Sequence, residues 1–271
     1  MRVGGVTRPL RVVLVGWGAI GRTVADLLAG ADVEIAGVAV RDPARARPDL
    51  PAGVPLVSEP AELAALQPDV VAEAAGRDSV GPWGRASLAA GADFIVSSVS
   101  AFADADLLAE LTATAQEGRG RLQIQTGALG GIDALAGAML MGVDEVEHRI
   151  VKPPQAWRDT PAEDLCELDG LDAPAVFFRE SAAVTAAAFP KNANVAMTTA
   201  LAGIGPERTM IALVADPGSS TNRHEITASG AFGSLDVRIA NNPLPDNPKT
   251  SAMAALNLAR AIQTRVTPVV I

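Results

Sequence analysis

The sequence predicts an α/β protein in two parts: a doubly wound parallel sheet, followed by a smaller α+β domain built on a mostly antiparallel sheet. In the first half of the chain, short β-branched apolar runs alternate with helix-like segments. In the second half, apolar and polar residues alternate at every second position in two places. We therefore place the first domain at residues 1–130 and the second at 131–247. A C-terminal helix at about 248–264 is expected to pack back on the first domain.

The first half has the pattern of a parallel sheet whose two faces are covered by helices. Its strand-like runs are apolar throughout, which is typical of strands buried on both faces. Strands that alternate with helices favour right-handed crossovers and a doubly wound sheet. The predicted strands are 12–15, 33–40, 54–57, 70–74, 94–97 and 122–125, and the predicted helices are 19–29, 60–66, 82–90 and 104–117.

The second half shows the period-two pattern of strands with one buried and one polar face. The alternation covers residues 146–151 and again 235–240. Residues 224–230 precede the second of these runs, and Ala231-Phe232-Gly233 between them predicts a hairpin turn. Two helices are expected here, at 192–201 and at 248–262, the second with an early proline where proline is tolerated.

Composition and charge exclude several classes of function. The chain has 271 residues, of which 49% are hydrophobic, and a formal net charge of −9. An acidic chain offers no electrostatic attraction to nucleic acid or to an anionic membrane surface, and we find no apolar run of the ~18 residues that a membrane span needs. The single cysteine, Cys166, allows no intramolecular disulfide, and we predict no metal site. These features agree with a cytoplasmic location.

A glycine-rich turn predicts dinucleotide binding. Gly16-Trp17-Gly18-Ala19-Ile20-Gly21 follows a strand directly and opens a helix, which is the context that the G-x-G-x-x-G motif of Rossmann domains requires. Free backbone N–H groups at the start of that helix attract a pyrophosphate. One alternative is a structural turn. The other is a signal peptide, in which Arg2, Arg8 and Arg11 would precede the apolar run at 12–20.

The end of the second strand bears on the choice between NAD and NADP. Asp42 favours the ribose diol of NAD, whereas Arg41 favours the 2′-phosphate of NADP. We therefore predict that both cofactors are used, although both residues could simply be solvated. Small-residue turns at 73–76, 98–101 and 126–131 leave room for the nicotinamide ring at the carboxyl ends of the strands.

Polar helix starts in the second half predict a site for an anionic substrate. Lys191 and Asn192 follow Pro190, and a cation together with free N–H groups at a helix start attracts carboxylates. Asn192 and Asn194 could instead be plain helix caps. Lys249 lies at a second predicted polar helix start and could hold another carboxylate, and Lys152 is a further candidate.

The two histidines of the chain differ in context. His224 is expected at a junction between loop and strand, where catalytic groups are often held, and its near-neutral intrinsic pKa suits general acid–base work. His148 shares a strand face with Val146 and Ile150. We interpret His148 as a structural residue of the sheet.

Several segments taken together resemble the L-aspartate dehydrogenase family. The order of the Phe189–Val195 segment, His224 and the Asn247–Ser251 segment is the most specific part of that resemblance. The other similar segments are 16–21, 101–104, 127–135, 152–154 and 230–233.

The resemblance implies a homodimer that oxidises L-aspartate, a small dicarboxylic amino acid, to iminoaspartate with NAD or NADP; the imine then hydrolyses to oxaloacetate and ammonia. It further implies that His224 lies at the active site and that Ala128 and Asn194 contact the cofactor. His224 would take a proton during imine formation or activate the water that hydrolyses the imine. The alternatives are a related two-domain dehydrogenase or imine reductase, such as homoserine dehydrogenase or dihydrodipicolinate reductase, and a dinucleotide sensor without catalysis.

Overall fold

The computed structural model describes residues 8–270, apart from the side chains of residues 248 and 249. The chain divides into two compact units. The first unit comprises Met1–Gln125 and Ala255–Ile271, and the second comprises Thr126–Ala254. Each unit has its own sheet.

The first unit contains a six-stranded parallel sheet. Its strands lie in the order β3-β2-β1-β4-β5-β6, and all five neighbouring pairs are parallel. The order reverses between β1 and β4, which creates the crevice where doubly wound sheets bind ligands. The elements are β1 (Leu10–Val15), α1 (Ala19–Leu28), β2 (Val33–Ala39), β3 (Leu56–Val57), α2 (Leu63–Leu66), β4 (Val70–Glu73), α3 (Arg77–Ala89), β5 (Asp93–Val96), α4 (Ala105–Gly118) and β6 (Leu122–Ile124).

The second unit contains a five-stranded mixed sheet. Its order is β11-β10-β7-β9-β8, and only the β7–β9 pair is parallel. The elements are α5 (Ile132–Ala138), β7 (Val143–Lys152), β8 (Ala175–Ser181), α6 (Ala182–Ala188), α7 (Ala193–Ala202), β9 (Met210–Ala215), β10 (Asn222–Gly230), β11 (Gly233–Asn241), β12 (Pro243–Leu244) and β13 (Asn247–Ser251). The α/β fold with a second, mostly antiparallel sheet is thus confirmed.

The two faces of the second sheet have different chemistry. Apolar residues of β7, β9 and β10 pack against α5, α6 and α7 in two buried clusters. The other face carries charges: Arg149 pairs with Glu225 at 3.4 Å, and Arg179 pairs with Glu147 at 2.7 Å. The period-two alternation in the sequence follows from this difference between the faces.

The predicted helix at 248–262 begins later than expected. The Asn247–Ser251 segment is the strand β13, paired antiparallel with β12, and the helix α8 (Ala252–Gln263) follows it. Ser251 accepts a hydrogen bond from the backbone N–H of Met253 at 3.2 Å and so caps the helix. The prediction of a polar helix start around Lys249 was therefore wrong: the proline lies in a short strand, and serine provides the cap.

Helix α3 differs from its prediction in the opposite direction, since it starts five residues before the predicted residue 82. Pro82 lies inside the helix. Proline is far commoner at the start of a helix than in its interior, which is why the pattern placed the start there.

Among the described residues, no helix is both long enough and apolar enough to cross a membrane.

Candidate functional site

The glycine-rich turn has the backbone geometry of a dinucleotide-binding loop. Gly16 has a φ of +104°, and a Cβ atom there would lie 2.9 Å from the carbonyl oxygen of Ala74. A Cβ atom on Gly21 would lie 2.2 Å from the carbonyl oxygen of Gly16, so α1 and the turn can approach only without side chains. Gly18 faces open space, and the first turn of α1 contains no acidic residue that would repel a phosphate.

A groove of about 730 Å³ opens beside this turn. Its floor is formed by the ends of β1, β2 and β4, and one wall is the loop after β2. Trp17 and Trp83 supply aromatic surface. The charged lining residues are Arg22, Arg41, Arg45, Arg47, Asp49 and Asp78, so cations exceed carboxylates in the groove. Ala19, Ile20 and Gly21 continue the motif as the first turn of α1.

Arg41 and Asp42, which were both predicted to contact the cofactor, have different surroundings. Arg41 lines the groove. Asp42 is not among the lining residues; its Oδ1 accepts a hydrogen bond from the backbone N–H of Ala44 at 2.9 Å. Arg47 donates to the backbone carbonyls of Arg45 and Asp42 and so braces the loop. Within the described residues, the guanidinium groups of Arg41 and Arg45 make neither a hydrogen bond nor an ion pair, whereas that of Arg47 is hydrogen-bonded to the loop.

Glu73 organises the turns at the carboxyl ends of β4 and β5. Its carboxylate is fully buried. It accepts hydrogen bonds from the backbone N–H groups of Ala75, Gly76 and Ser98 and from the hydroxyls of Ser79 and Ser98, all between 2.8 and 2.9 Å. The sequence pattern did not lead us to predict this role of Glu73, although an acidic residue at the end of an otherwise apolar strand is a signal for it.

In the second unit, Lys152 is a largely buried cation. Its Nζ donates to Oδ1 of Asn192 at 2.5 Å and lies 4.4 Å from the ring centroid of Trp157. Burial, together with the positive charge of Lys191, lowers the pKa of Lys152 to about 8. Within the described residues no carboxylate forms an ion pair with Lys152, so the positive charge is open to an anionic ligand.

The side chain of Asn192 accepts a hydrogen bond from Lys152 and does not cap helix α7. The backbone of Asn192 is the N-cap of α7, yet its side chain makes no capping hydrogen bond. Lys191 is exposed, and its Nζ lies 3.4 Å from the carbonyl oxygen of Asp159. The structure thus brings Lys152, Lys191 and Asn192 into one neighbourhood.

The other predicted site residues of the second unit are placed as follows. Asn194 is exposed in the first turn of α7, and its carbonyl oxygen accepts from the hydroxyl of Thr198 at 2.9 Å. Ala128 is buried, and its carbonyl oxygen accepts from Nδ2 of Asn241 at 2.9 Å. The side chain of Lys249 lies outside the described residues.

His224 lies within β10 and is buried, although the sequence placed it at a strand junction. Its Nδ1 is 3.0 Å from Nε2 of His148, and Nδ1 of His148 is 2.8 Å from Oγ1 of Thr199. Burial, together with the positive charge of Lys152, lowers the pKa of His224 to about 3. The pKa of His148 is also lowered by burial and by His224. Both rings are therefore neutral at physiological pH.

The contact between the two histidines was not predicted from the sequence, where His148 was interpreted as a structural residue of the sheet. Only one signal was available: His148 lies on the buried face of a strand that ends at Lys152. A neutral imidazole in hydrogen-bond contact with a second one, next to a buried cation, is an arrangement for proton transfer to or from an anionic ligand.

Comparisons with known proteins cover both units. Residues 16–125 match the family model "Homoserine dehydrogenase, NAD binding domain", and residues 133–265 match "Aspartate dehydrogenase, C-terminal". The curated L-aspartate dehydrogenase of Brucella anthropi is 53% identical over 262 residues, which cover 96% of this chain and 98% of the relative. The L-aspartate dehydrogenase of a Polaromonas species is 40% identical over 94% of this chain and 97% of its own.

Among solved structures, aspartate dehydrogenase from Thermotoga maritima has a TM-score of 0.77 at 25% sequence identity. The match covers 97% of this chain and 99% of that chain. The sequence relatives and the solved structure therefore both match nearly the full length of this chain, including both units. The chain belongs to the L-aspartate dehydrogenase family.

Proposed function

We propose that this chain oxidises L-aspartate to iminoaspartate with NAD or NADP, reversibly, and that iminoaspartate is then hydrolysed to oxaloacetate and ammonia. The observation that carries this proposal is the 53% identity to a curated L-aspartate dehydrogenase over almost the whole of both chains. Lys152, a largely buried cation with no ion-pair partner among the residues that the structure describes, supports it independently, because the substrate has two carboxylates.

The substrate carboxylates are proposed to bind at Lys152, Asn192 and Lys191. Lys152 is held by Asn192 and by the face of Trp157, so its ammonium group is oriented before any ligand arrives. A preoriented, desolvated cation binds a carboxylate more strongly than a mobile surface lysine does. We propose Lys249 for the second carboxylate on sequence grounds alone.

His224 is proposed as the base. The ammonium group of aspartate must lose a proton before its nitrogen can form a double bond to Cα. The neutral ring of His224 has one nitrogen facing His148 and leaves Nε2 to take that proton. The same nitrogen could activate the water that hydrolyses the imine.

The first unit fits a nicotinamide dinucleotide. Gly16 and Gly21 have no Cβ atoms, so the backbone of the turn packs closely, and Gly18 borders open space. These features, together with the free N–H groups at the start of α1, suit a pyrophosphate. When bound, the cofactor supplies the hydride acceptor. We propose that Ala128 and Asn194 contact it as well, and that Arg41 and Arg45 favour NADP over NAD because Asp42 is engaged in its own turn.

We also infer a homodimer in the cytoplasm. The charged face of the second sheet, with Arg149, Glu225 and Arg179, has opposite charges that suit a self-complementary contact. The single cysteine agrees with a reducing compartment. Light scattering should give twice the chain mass of 27.7 kDa.

A substrate panel tests the proposed activity. Purified protein is assayed with aspartate, glutamate, alanine and homoserine, each with NAD and with NADP, by the absorbance of the reduced cofactor. We expect aspartate to give the highest kcat/KM with both cofactors. Preference for homoserine would indicate a related two-domain dehydrogenase, and tight cofactor binding without turnover would indicate a sensor.

A further inference from the structure

The side chain of Thr199 ties the two histidines to a helix. Thr199 lies in α7 and is fully buried, as is His148. Its Oγ1 is 3.1 Å from the carbonyl oxygen of Val195, one turn earlier, and 2.8 Å from Nδ1 of His148. The chain of contacts therefore runs from the Val195 carbonyl through Thr199 and His148 to His224.

The direction of each hydrogen bond in this chain follows from proton counting. The hydroxyl of Thr199 has one proton, and the carbonyl of Val195 can only accept it. Oγ1 must then accept from Nδ1–H of His148. A neutral His148 has no proton left for Nε2, so Nε2 accepts from Nδ1–H of His224.

We propose that His148 and Thr199 are positioning residues that hold His224 in its Nδ1–H tautomer, with Nε2 as a free lone pair. This inference rests on the proposed role of His224 as the base. The Nε2–H tautomer of His224 would present a proton where a base needs a lone pair. His148 additionally accepts the Nδ1–H bond while His224 carries a positive charge, which favours the protonated intermediate state.

Strand pairing fixes the two rings relative to each other. His148 of β7 pairs with Ile226 of β10, and His224 pairs with Ile150, so the histidines are diagonal neighbours on one face of the sheet. The ring planes are inclined by 58° with centroids 5.2 Å apart. Since backbone pairing and a helix hold the contact from two sides, the tautomer is set before substrate binds.

The test uses the fact that the chain has only two histidines. The full-length protein is labelled with ¹⁵N-histidine, and long-range ¹H–¹⁵N spectra at neutral pH report the tautomer of each ring, with His148→Gln used for assignment. We expect both rings to be Nδ1–H tautomers. In Thr199→Val the hydroxyl that accepts from Nδ1–H of His148 is lost. We expect His148 to become the Nε2–H tautomer, which donates to Nδ1 of His224, and His224 to become the Nε2–H tautomer as well.

Kinetics provide the second readout. Thr199→Val should lower kcat for aspartate roughly 10²-fold, the lower range for loss of a general base, with little change in KM. Thr199→Ser keeps the hydroxyl and should retain both the tautomer and the rate. His148→Gln, whose amide can accept from His224 and donate to Thr199, should keep more activity than His148→Leu.

Two results would overturn the proposal: an Nε2–H tautomer of His224 in the wild-type protein, or an unchanged kcat in a folded Thr199→Val variant. Should Thr199→Val fail to fold, the wild-type spectrum still decides on the tautomer. Absence of aspartate oxidation by the wild-type protein would instead contradict the proposed function, and it would leave the spectra as a separate result.

Discussion

Lys152 and Asn192 are 40 residues apart in the sequence, yet Nζ of the lysine lies 2.5 Å from Oδ1 of the asparagine. The amide oxygen accepts a hydrogen bond from one of the three ammonium N–H groups, and the ring of Trp157 covers another side of the ammonium group. Both neighbours are uncharged. The lysine is therefore oriented without being neutralised, which is the condition for capturing a carboxylate from solution.

The pKa of Lys152 leads to a prediction for ligand binding. Succinate has two carboxylates and no amine, so its own charge is constant above pH 7. Because burial lowers the pKa of Lys152 to about 8, the cation is present below pH 8 and is lost above it. We expect the Kd of succinate to be constant up to about pH 8 and then to rise up to tenfold per pH unit, as measured by calorimetry.

The control for this experiment is Lys152→Arg, since arginine stays protonated throughout the range. Its succinate Kd should be independent of pH, even if it is weaker at pH 7. Lys191→Met removes the neighbouring charge and should shift the rise in Kd to higher pH. Identical profiles for the wild type and Lys152→Arg would show that another group binds the carboxylate.

The arginines of the cofactor groove predict a preference for NADP. Arg41 and Arg45 line the groove without an ion-pair partner in the described chain, whereas Asp42 bonds to its own loop. The double variant Arg41→Gln/Arg45→Gln should raise the KM for NADP at least tenfold, or about 1.4 kcal/mol, and leave the KM for NAD within twofold. Arg119→Gln, an exposed arginine outside the groove, serves as the matched control. An equal rise for both cofactors would place these arginines on the shared pyrophosphate.

The sequence allowed the first unit to be predicted almost element by element, because each of its signals is local. The strand before Gly16, the glycine spacing and the helix after Gly18 are contiguous, and parallel strands are apolar throughout. The hairpin of β10 and β11 was likewise confirmed around its turn. Pairing partners within such units follow from chain order and handedness.

The side-chain contacts of the candidate site in the second unit could not be predicted in the same way. The contact between His148 and His224 spans 76 residues and depends on the register of β7 against β10. A shift of that register by one residue would place one ring on the charged face. Period-two alternation shows that a face is buried, but it does not show which residue of another strand lies opposite. The hydrogen-bond role of Asn192 depends in the same way on a distant partner, Lys152.

We expect substitutions at Gly18 and Gly21 of the glycine-rich turn to have different effects, one on cofactor binding and the other on stability. A Cβ atom at Gly18 meets nothing in the protein within 4 Å, so Gly18→Ala should fold normally. Its methyl group would nonetheless occupy space next to the pyrophosphate, and we expect cofactor affinity to fall at least tenfold by fluorescence titration. Gly137→Ala, also in open space but in α5, should leave affinity unchanged. Gly21→Ala should destabilise the fold itself, because its Cβ would lie 2.2 Å from a carbonyl oxygen.

Removal of His224 tests its role directly. His224→Asn should lower kcat for aspartate by roughly 10²–10⁴-fold, the usual effect of losing a general base. Cofactor affinity, measured by fluorescence titration, should be unchanged because His224 is not among the residues that line the groove. Near-normal turnover in a variant that binds cofactor would exclude His224 as the base.

The two buried histidines also predict how stability depends on pH. Unfolded histidines bind a proton near pH 6.5, whereas folding lowers the pKa of His224 to about 3 and lowers that of His148 as well. Between these values the unfolded state binds more protons than the folded state, so the free energy of unfolding falls as the pH falls below 6.5. Each histidine contributes about 1.4 kcal/mol per pH unit.

Urea unfolding at pH 6.0, 5.5, 5.0 and 4.5, at one protein concentration, measures this slope. With both histidines protonating on unfolding, the wild-type slope should approach about 2.8 kcal/mol per pH unit. His224→Asn leaves one buried histidine, and its slope should be roughly half as steep. A wild-type slope that the substitution does not reduce would mean that His224 is protonated in the folded protein, in which case it could not accept a proton from the substrate.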